Sequence, residues 1–175
     1  MKFIYLIACI LTILPSNTIN KCKPEKYLLY KNYIVYQENF IKYNKCIPLD
    51  GKNFLVNTKS KQKIIFDSTI TSILQIEIKK KKILIVLGHY GNSGHLLYIF
   101  EIGKSENLKL VKNGKIGSGN PIAFKVNKDS IYIFDRESEN YGKQIYLTIY
   151  RYNPISNRVK KIVNKMLVAN DDKNY

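Results

Sequence analysis

The two histidines of the chain, His89 and His95, bracket Tyr90-Gly91-Asn92-Ser93-Gly94. A Gly/Asn-rich break between two apolar runs reads as a hairpin, which sets the imidazoles opposite each other at its mouth. Two imidazoles are half of a tetrahedral zinc site, and no further ligand stands nearby, so no metal is expected. Asp135, Glu137 and Glu139 alternate with Arg136 and Ser138. Paired carboxylates can serve as acid and base in glycoside cleavage, but three acids at alternate positions around an arginine read first as a solvated loop. Gly114-Lys115-Ile116-Gly117-Ser118-Gly119-Asn120 could wrap an anion with backbone N–H groups. Pro121 and a strand follow it instead of a helix, which excludes a P-loop or dinucleotide fingerprint. No serine or cysteine has a placed base. The reading is therefore of no catalytic residue, no metal and no cofactor, with a hydrolase the least favoured function.

These residues need a frame, and the stretch 121–164 supplies the clearest one. Four short runs, Ile122 to Val126, Ile131 to Asp135, Ile145 to Tyr152 and Arg158 to Val163, alternate apolar and polar side chains. Asn127-Lys128-Asp129 and Asn153-Pro154-Ile155-Ser156-Asn157 provide the turn chemistry between them. A four-stranded antiparallel unit follows. The same order recurs upstream. Lys82-Ile83-Leu84-Ile85-Val86 answers Ser130-Ile131-Tyr132-Ile133-Phe134, and Leu97-Tyr98-Ile99-Phe100-Glu101 answers Leu147-Thr148-Ile149-Tyr150-Arg151. Asn107-Leu108-Lys109-Leu110-Val111 answers the run that begins at Asn157. A fainter copy spans 26–67, opening with Tyr27-Leu28-Leu29-Tyr30, a Lys31-Asn32 turn and Tyr33-Ile34-Val35-Tyr36. Such periods mark repeat architectures. No ten-residue stretch has a helical period, and 164–169 is expected to form a turn or so. The fold class is all-β, built from about three repeated four-stranded antiparallel units.

Through Phe124-Lys125-Val126-Asn127-Lys128-Asp129-Ser130-Ile131-Tyr132-Ile133-Phe134 and Ile149-Tyr150-Arg151-Tyr152-Asn153-Pro154-Ile155-Ser156-Asn157 the chain resembles the blades of a β-propeller in general. The resemblance implies a ring of four to eight such units. Only three are visible here, so it implies an incomplete propeller or one completed by a second chain. A β-sandwich or irregular barrel is the alternative.

Met1-Lys2 precedes an uncharged apolar run from Phe3 to Leu14 and then Pro15-Ser16-Asn17-Thr18. That is the pattern of a secretory signal, and the run is short for a membrane span. The organisation read from the chain is a signal peptide over 1–20, one all-β domain over 21–169 and a flexible tail over 170–175. Export places the remaining cysteines, Cys22 and Cys46, in an oxidising compartment, periplasmic or secreted, where a disulfide is expected. It would close a loop of about 25 residues and stabilise the fold by about 3 kcal/mol, pinning the first strands to a long loop over 37–50.

Formal net charge is +16, a balance that attracts polyanions. For an exported chain these are an anionic envelope polymer, lipid headgroups or an acidic protein, and nucleic acid is not expected. In a repeated antiparallel unit the tight turns gather at one end: Lys31-Asn32, Thr58-Lys59-Ser60-Lys61, Lys79-Lys80-Lys81-Lys82, Gly103-Lys104-Ser105-Glu106 and Asn127-Lys128-Asp129. That end reads as a basic, solvated edge and not as the specific site. Longer, chemically mixed loops gather at the other end, where binding usually sits. Candidate contacts there are Tyr90, Asn92, His95, Arg136, Glu137 and Tyr141, since Tyr and Arg dominate interface energies. The function expected is an exported binding protein, an inhibitor or immunity-type antagonist of an envelope-acting enzyme or toxin. A basic binder of anionic envelope polymer or lipid is the alternative.

Overall fold

The computed structural model describes residues 22–42, 45–91, 94–139 and 144–169, with side chains for all of these except 39–42, 45–51, 138–139 and 168–169. Every regular element among them is a strand. β1 (Glu25–Tyr30), β2 (Tyr33–Lys42), β3 (Lys45–Asn57) and β4 (Lys63–Phe66) form an antiparallel sheet in chain order. β5 (Thr69–Ile78), β6 (Lys81–Tyr90), β7 (Gly94–Ile102) and β8 (Leu108–Ser118) make a second meander. β9 (Ala123–Val126), β10 (Ile131–Glu139), β11 (Gln144–Asn153) and β12 (Arg158–Ala169) make a third. The last two meanders are not separate blades. They join edge to edge in one eight-stranded sheet, β5-β6-β7-β8-β12-β11-β10-β9, which curls into a half-barrel.

Two cores result, one on each face of the middle layer. Tyr33, Val35, Leu55 and Phe66 of the first sheet pack on Leu84, Val86, Leu96, Tyr98 and Phe100. Ile83, Ile85, Leu97 and Ile99 turn the other way and meet Ile131, Ile133, Tyr152 and Val159. Neighbouring residues of β6 and β7 thus enter different cores, which is why both strands are unbroken apolar runs and not alternating ones.

The join between the half-sheets depends on an irregularity in β8. From the pair Phe100↔Leu110 to the pair Tyr98↔Lys115, β7 advances two residues while β8 advances five. The odd surplus of three exchanges the faces of β8: Leu108 belongs to one core and Ile116 to the other. Asn113 takes φ 58° inside this bulge. At Gly114 a Cβ would come within 2.9 Å of the Ile99 carbonyl oxygen, so glycine is required by the close approach of β7. The bulge turns the backbone of residues 112–113 outward toward β12. The Lys112 N–H donates to the Asn157 carbonyl (3.3 Å), and the Asn113 side-chain amide donates to the Val159 carbonyl (3.4 Å). Arg158↔Lys112, a parallel pair, is where the two half-sheets are bridged.

Several expected loops are strand. The 37–50 segment is a hairpin whose ladder runs from Asn39↔Pro48 through Ile41↔Cys46 to Lys42↔Lys45. β10 extends through the acidic run, from Asp135↔Thr148 to Glu139↔Gln144. The glycine-rich stretch lies inside β8 as far as Ser118, and the turn expected over 164–169 is the end of β12. A ladder satisfies the backbone of polar residues as well as apolar ones, so polar composition on an exposed face does not end a strand. The signal peptide expected over 1–20, the tail expected over 170–175, Asn92 and Tyr141 lie outside the described residues.

Candidate functional site

The four described members of the expected contact set fall on two separate hairpins. His95 pairs with His89 across the β6–β7 ladder, as the hairpin reading requires, and Tyr90 pairs with Gly94. The Tyr90 ring folds over Gly94, where a side chain would collide with it, and stays about half exposed. Arg136 and Glu137 are consecutive on β10, opposite Leu147 and Tyr146, so they point to opposite faces. The alternation puts His95 and Glu137 on the face between the half-sheets, with Tyr90 and Arg136 turned away from it. Among the described residues no three His, Cys, Asp or Glu side chains are placed to hold a metal.

Asp135 shares the inner face of β10 with Ile131 and Ile133 and is 1% exposed. Neither of its carboxyl oxygens has a hydrogen-bond partner among the described residues. The hydroxyl of Thr148, its ladder partner, donates instead to Asn164 Oδ1 (3.0 Å). Burial pushes the Tyr150 phenol upward, and the nearby carboxyls of Asp135 and Glu137 push the same way. A buried, unpaired carboxyl destabilises the fold through its lost solvation. Asp135→Asn, nearly isosteric and uncharged, is expected to stabilise the protein by about 1 kcal/mol or more. Urea unfolding at neutral pH reads this, and a loss of stability instead would mean that the carboxyl holds something in place.

The turn-rich end is basic, and three of its lysines are paired with acids. Lys79 meets Asp129 at 3.2 Å, Lys81 meets Glu101 at 3.0 Å and Lys82 meets Glu106 at 3.6 Å. Asn157 Nδ2 also donates to Glu101 (2.6 Å). Lys79 and Lys80 both take positive φ, the hallmark of a type I′ hairpin turn. Two fully buried tyrosines lie behind this end, Tyr33 and Tyr152. Burial, and secondarily the carboxylates of Glu106 and Glu101 respectively, push their phenols up to about 12. Unfolded tyrosine titrates near 10, so the folded state holds these protons more tightly. Their contribution to stability is complete below pH 10 and is lost as pH rises to about 12. Urea midpoints should therefore fall over that window. Tyr33→Phe should flatten the fall without loss at neutral pH, because the Tyr33 hydroxyl has no hydrogen-bond partner among the described residues; an unchanged alkaline slope would count against this account.

Beyond the Arg158↔Lys112 bridge, β8 and β12 part. The wedge between them is a groove of about 500 Å3 lined by Lys115, Arg158, Lys160, Lys161, Tyr150 and the Ile116–Val159 floor. Among the described residues no carboxylate lines it. Past the groove, β12 exposes four large apolar side chains: Ile162, Val163, Met166 and Leu167. Sequence reasoning missed this site because it requires β12 to lie beside β8, a parallel pairing that no local pattern announces. The available signal was the density of Lys, Ile, Val and Met after Arg158, too polar for a core strand and too apolar for a solvated edge. No protein-family model matches the chain, and no curated protein or solved structure matches it.

Proposed function

We propose that this chain is an exported, β-rich binding protein that acts on another protein of the cell envelope as an inhibitor or immunity-type antagonist. The observation that carries this reading is the pairing, on one strand, of exposed apolar residues with cations whose groove holds no acid among the described residues: Ile162, Val163, Met166 and Leu167 beside Lys160, Lys161 and Arg158. A protein surface can use both kinds of contact. Export rests on the charged start and apolar run at the N-terminus, with a Cys22–Cys46 bond as its companion. The ladder supports that bond. Glu25 lies opposite Gln37, and Cys46 lies opposite Ile41, so the chain entering β1 runs at the end of the sheet that carries Cys46. The matched order of β6, β7 and β8 with β10, β11 and β12 supports the further reading that the meanders are copies of one unit.

The cation lining of the groove favours a second reading, a binder of anionic envelope polymer or lipid. The two separate in one experiment. Mature protein immobilised on a resin is incubated with envelope extract at low and high salt. Recovery of a single stoichiometric protein partner at both salts supports the antagonist, whereas salt-sensitive recovery of polysaccharide or lipid replaces it with the second reading. Intact mass of the exported protein should show loss of residues 1 to about 18 and no alkylatable thiol before reduction. A mass retaining the apolar run, or two free thiols, defeats the export reading.

A further inference from the structure

We propose that the wedge between β8 and β12 is a docking site for an extended segment of the partner protein, one that alternates acidic and apolar side chains and adds as a strand along β12. This rests on the protein-binding reading above and assigns it a place and a chemistry. Among the described residues, β12 is paired on its β11 side from Arg158 to Ala169 but on its β8 side only at Arg158. Its open edge is therefore unpaired over most of its length. The Val159 carbonyl points to the β8 side, where Asn113 reaches it. Val159 stands opposite Tyr152, and Lys161, Asn164 and Met166 stand opposite Tyr150, Thr148 and Tyr146, the next residues on that face of β11. Strand alternation sends their peptide groups to the same open side. Register shifts on either side of the Asn164–Met166 segment leave Ile162 and Leu167 without ladder partners, and both are exposed.

Charge selects the occupant. Among the described residues the groove holds Lys115, Arg158, Lys160 and Lys161 without an acid, and Lys165 follows on β12. A second copy of this chain, with its net charge of +16, would bring like charge to that edge, and lysines on an edge strand oppose self-pairing. An acidic segment meets opposite charge in the groove and apolar contacts at Ile162, Met166 and Leu167. Main-chain pairing then supplies affinity and the side chains supply selection, the logic of strand addition. The basic turn end is a poorer candidate for the same ligand, since Glu101, Glu106 and Asp129 stand among its lysines and pair with three of them, and its strands end there in closed turns, which offer no open edge to extend.

The test uses full-length mature protein, 15N-labelled, and a capped octapeptide alternating glutamate and valine, with polyglutamate and an alternating lysine–valine octapeptide as comparisons. Expected are amide shifts and slowed hydrogen exchange confined to β8 and β12 with the glutamate–valine peptide, and no response to lysine–valine. Lys160→Glu with Lys161→Glu should weaken binding about tenfold or more. Met166→Pro, which removes one open-side N–H on an exposed edge, should do so too while the amide spectrum elsewhere stays native. Polyglutamate binding as tightly as glutamate–valine, with no protection of β12 amides, would overturn strand addition. Shifts confined to the ends of β6, β7 and β10 would overturn the location while leaving the antagonist reading intact. If no peptide binds, the docking proposal fails, and the antagonist reading is decided separately by the envelope recovery.

Discussion

Truncating Leu84 or Ile85 to alanine is expected to cost about 3 to 4 kcal/mol in either case, although the two side chains point in opposite directions. Leu84 is fully buried in the core against the first sheet, and Ile85 is buried to 1% in the core against β10 to β12. Each truncation removes apolar contact and leaves a cavity walled by two layers, which collapse poorly around it. A strand with one wet face behaves differently. In β10, Ile133 is fully buried while its neighbours Tyr132 and Phe134 are only partly so. Adjacent truncations in β10 should therefore differ in cost, whereas those in β6 should not. Chemical unfolding of Leu84→Ala, Ile85→Ala, Ile133→Ala and Phe134→Ala measures the contrast. A cost below about 1 kcal/mol at either β6 position would mean that the middle layer is covered on one face only.

The second large effect is polar. Asn53→Ala is expected to destabilise the protein by about 2 to 4 kcal/mol. Asn53 is fully buried on β3, and its Oδ1 accepts the Ile70 N–H of β5 at 2.7 Å. The Tyr27 hydroxyl of β1 reaches the same oxygen and also the Ile70 carbonyl (2.7 Å). One carboxamide thus ties both sheets where the chain crosses from β4 to β5. Removing it strands a buried donor on Ile70, a cost that exceeds the modest net value of a hydrogen bond. Asn53→Asp keeps the acceptor and adds a buried charge, so it should also destabilise, and more so as pH rises through the carboxyl range. Asn53→Ala unfolding at the wild-type urea concentration would defeat this account.

Much of the strand order was legible. The runs at Ile122, Ile131, Ile145 and Arg158 mark β9 to β12 nearly to the residue at their starts, because β-branched alternation and Asn/Pro/Asp turns act locally. The facing of His89 and His95 followed from the same local rules. What the pattern did not carry was the length of the strands at the mixed end, since acids and amides within a ladder look like loop residues. Nor did it carry the seam. The surplus residues in β8 change faces through Asn113 and Gly114, and nothing in Lys112-Asn113-Gly114-Lys115 distinguishes a bulge from a turn. For the candidate site, the importance of tyrosine and arginine pointed to Tyr90 and Arg136, whereas the groove is assembled from lysines on strands far apart in sequence, Lys115 with Lys160 and Lys161.

The seam also sets how the molecule is put together in time. Every described strand pair except β12 with β8 joins neighbours in the chain, so most pairing needs only short loop closure, and hairpins form within microseconds. Pairing between chain neighbours keeps sequence separations shorter than crossover topologies require, which favours faster folding. On this topology the meanders are expected to form first and the Arg158↔Lys112 bridge, which waits for β12, to form last. Variants that weaken it, such as Asn113→Ala, should accelerate unfolding and leave the folding rate nearly unchanged.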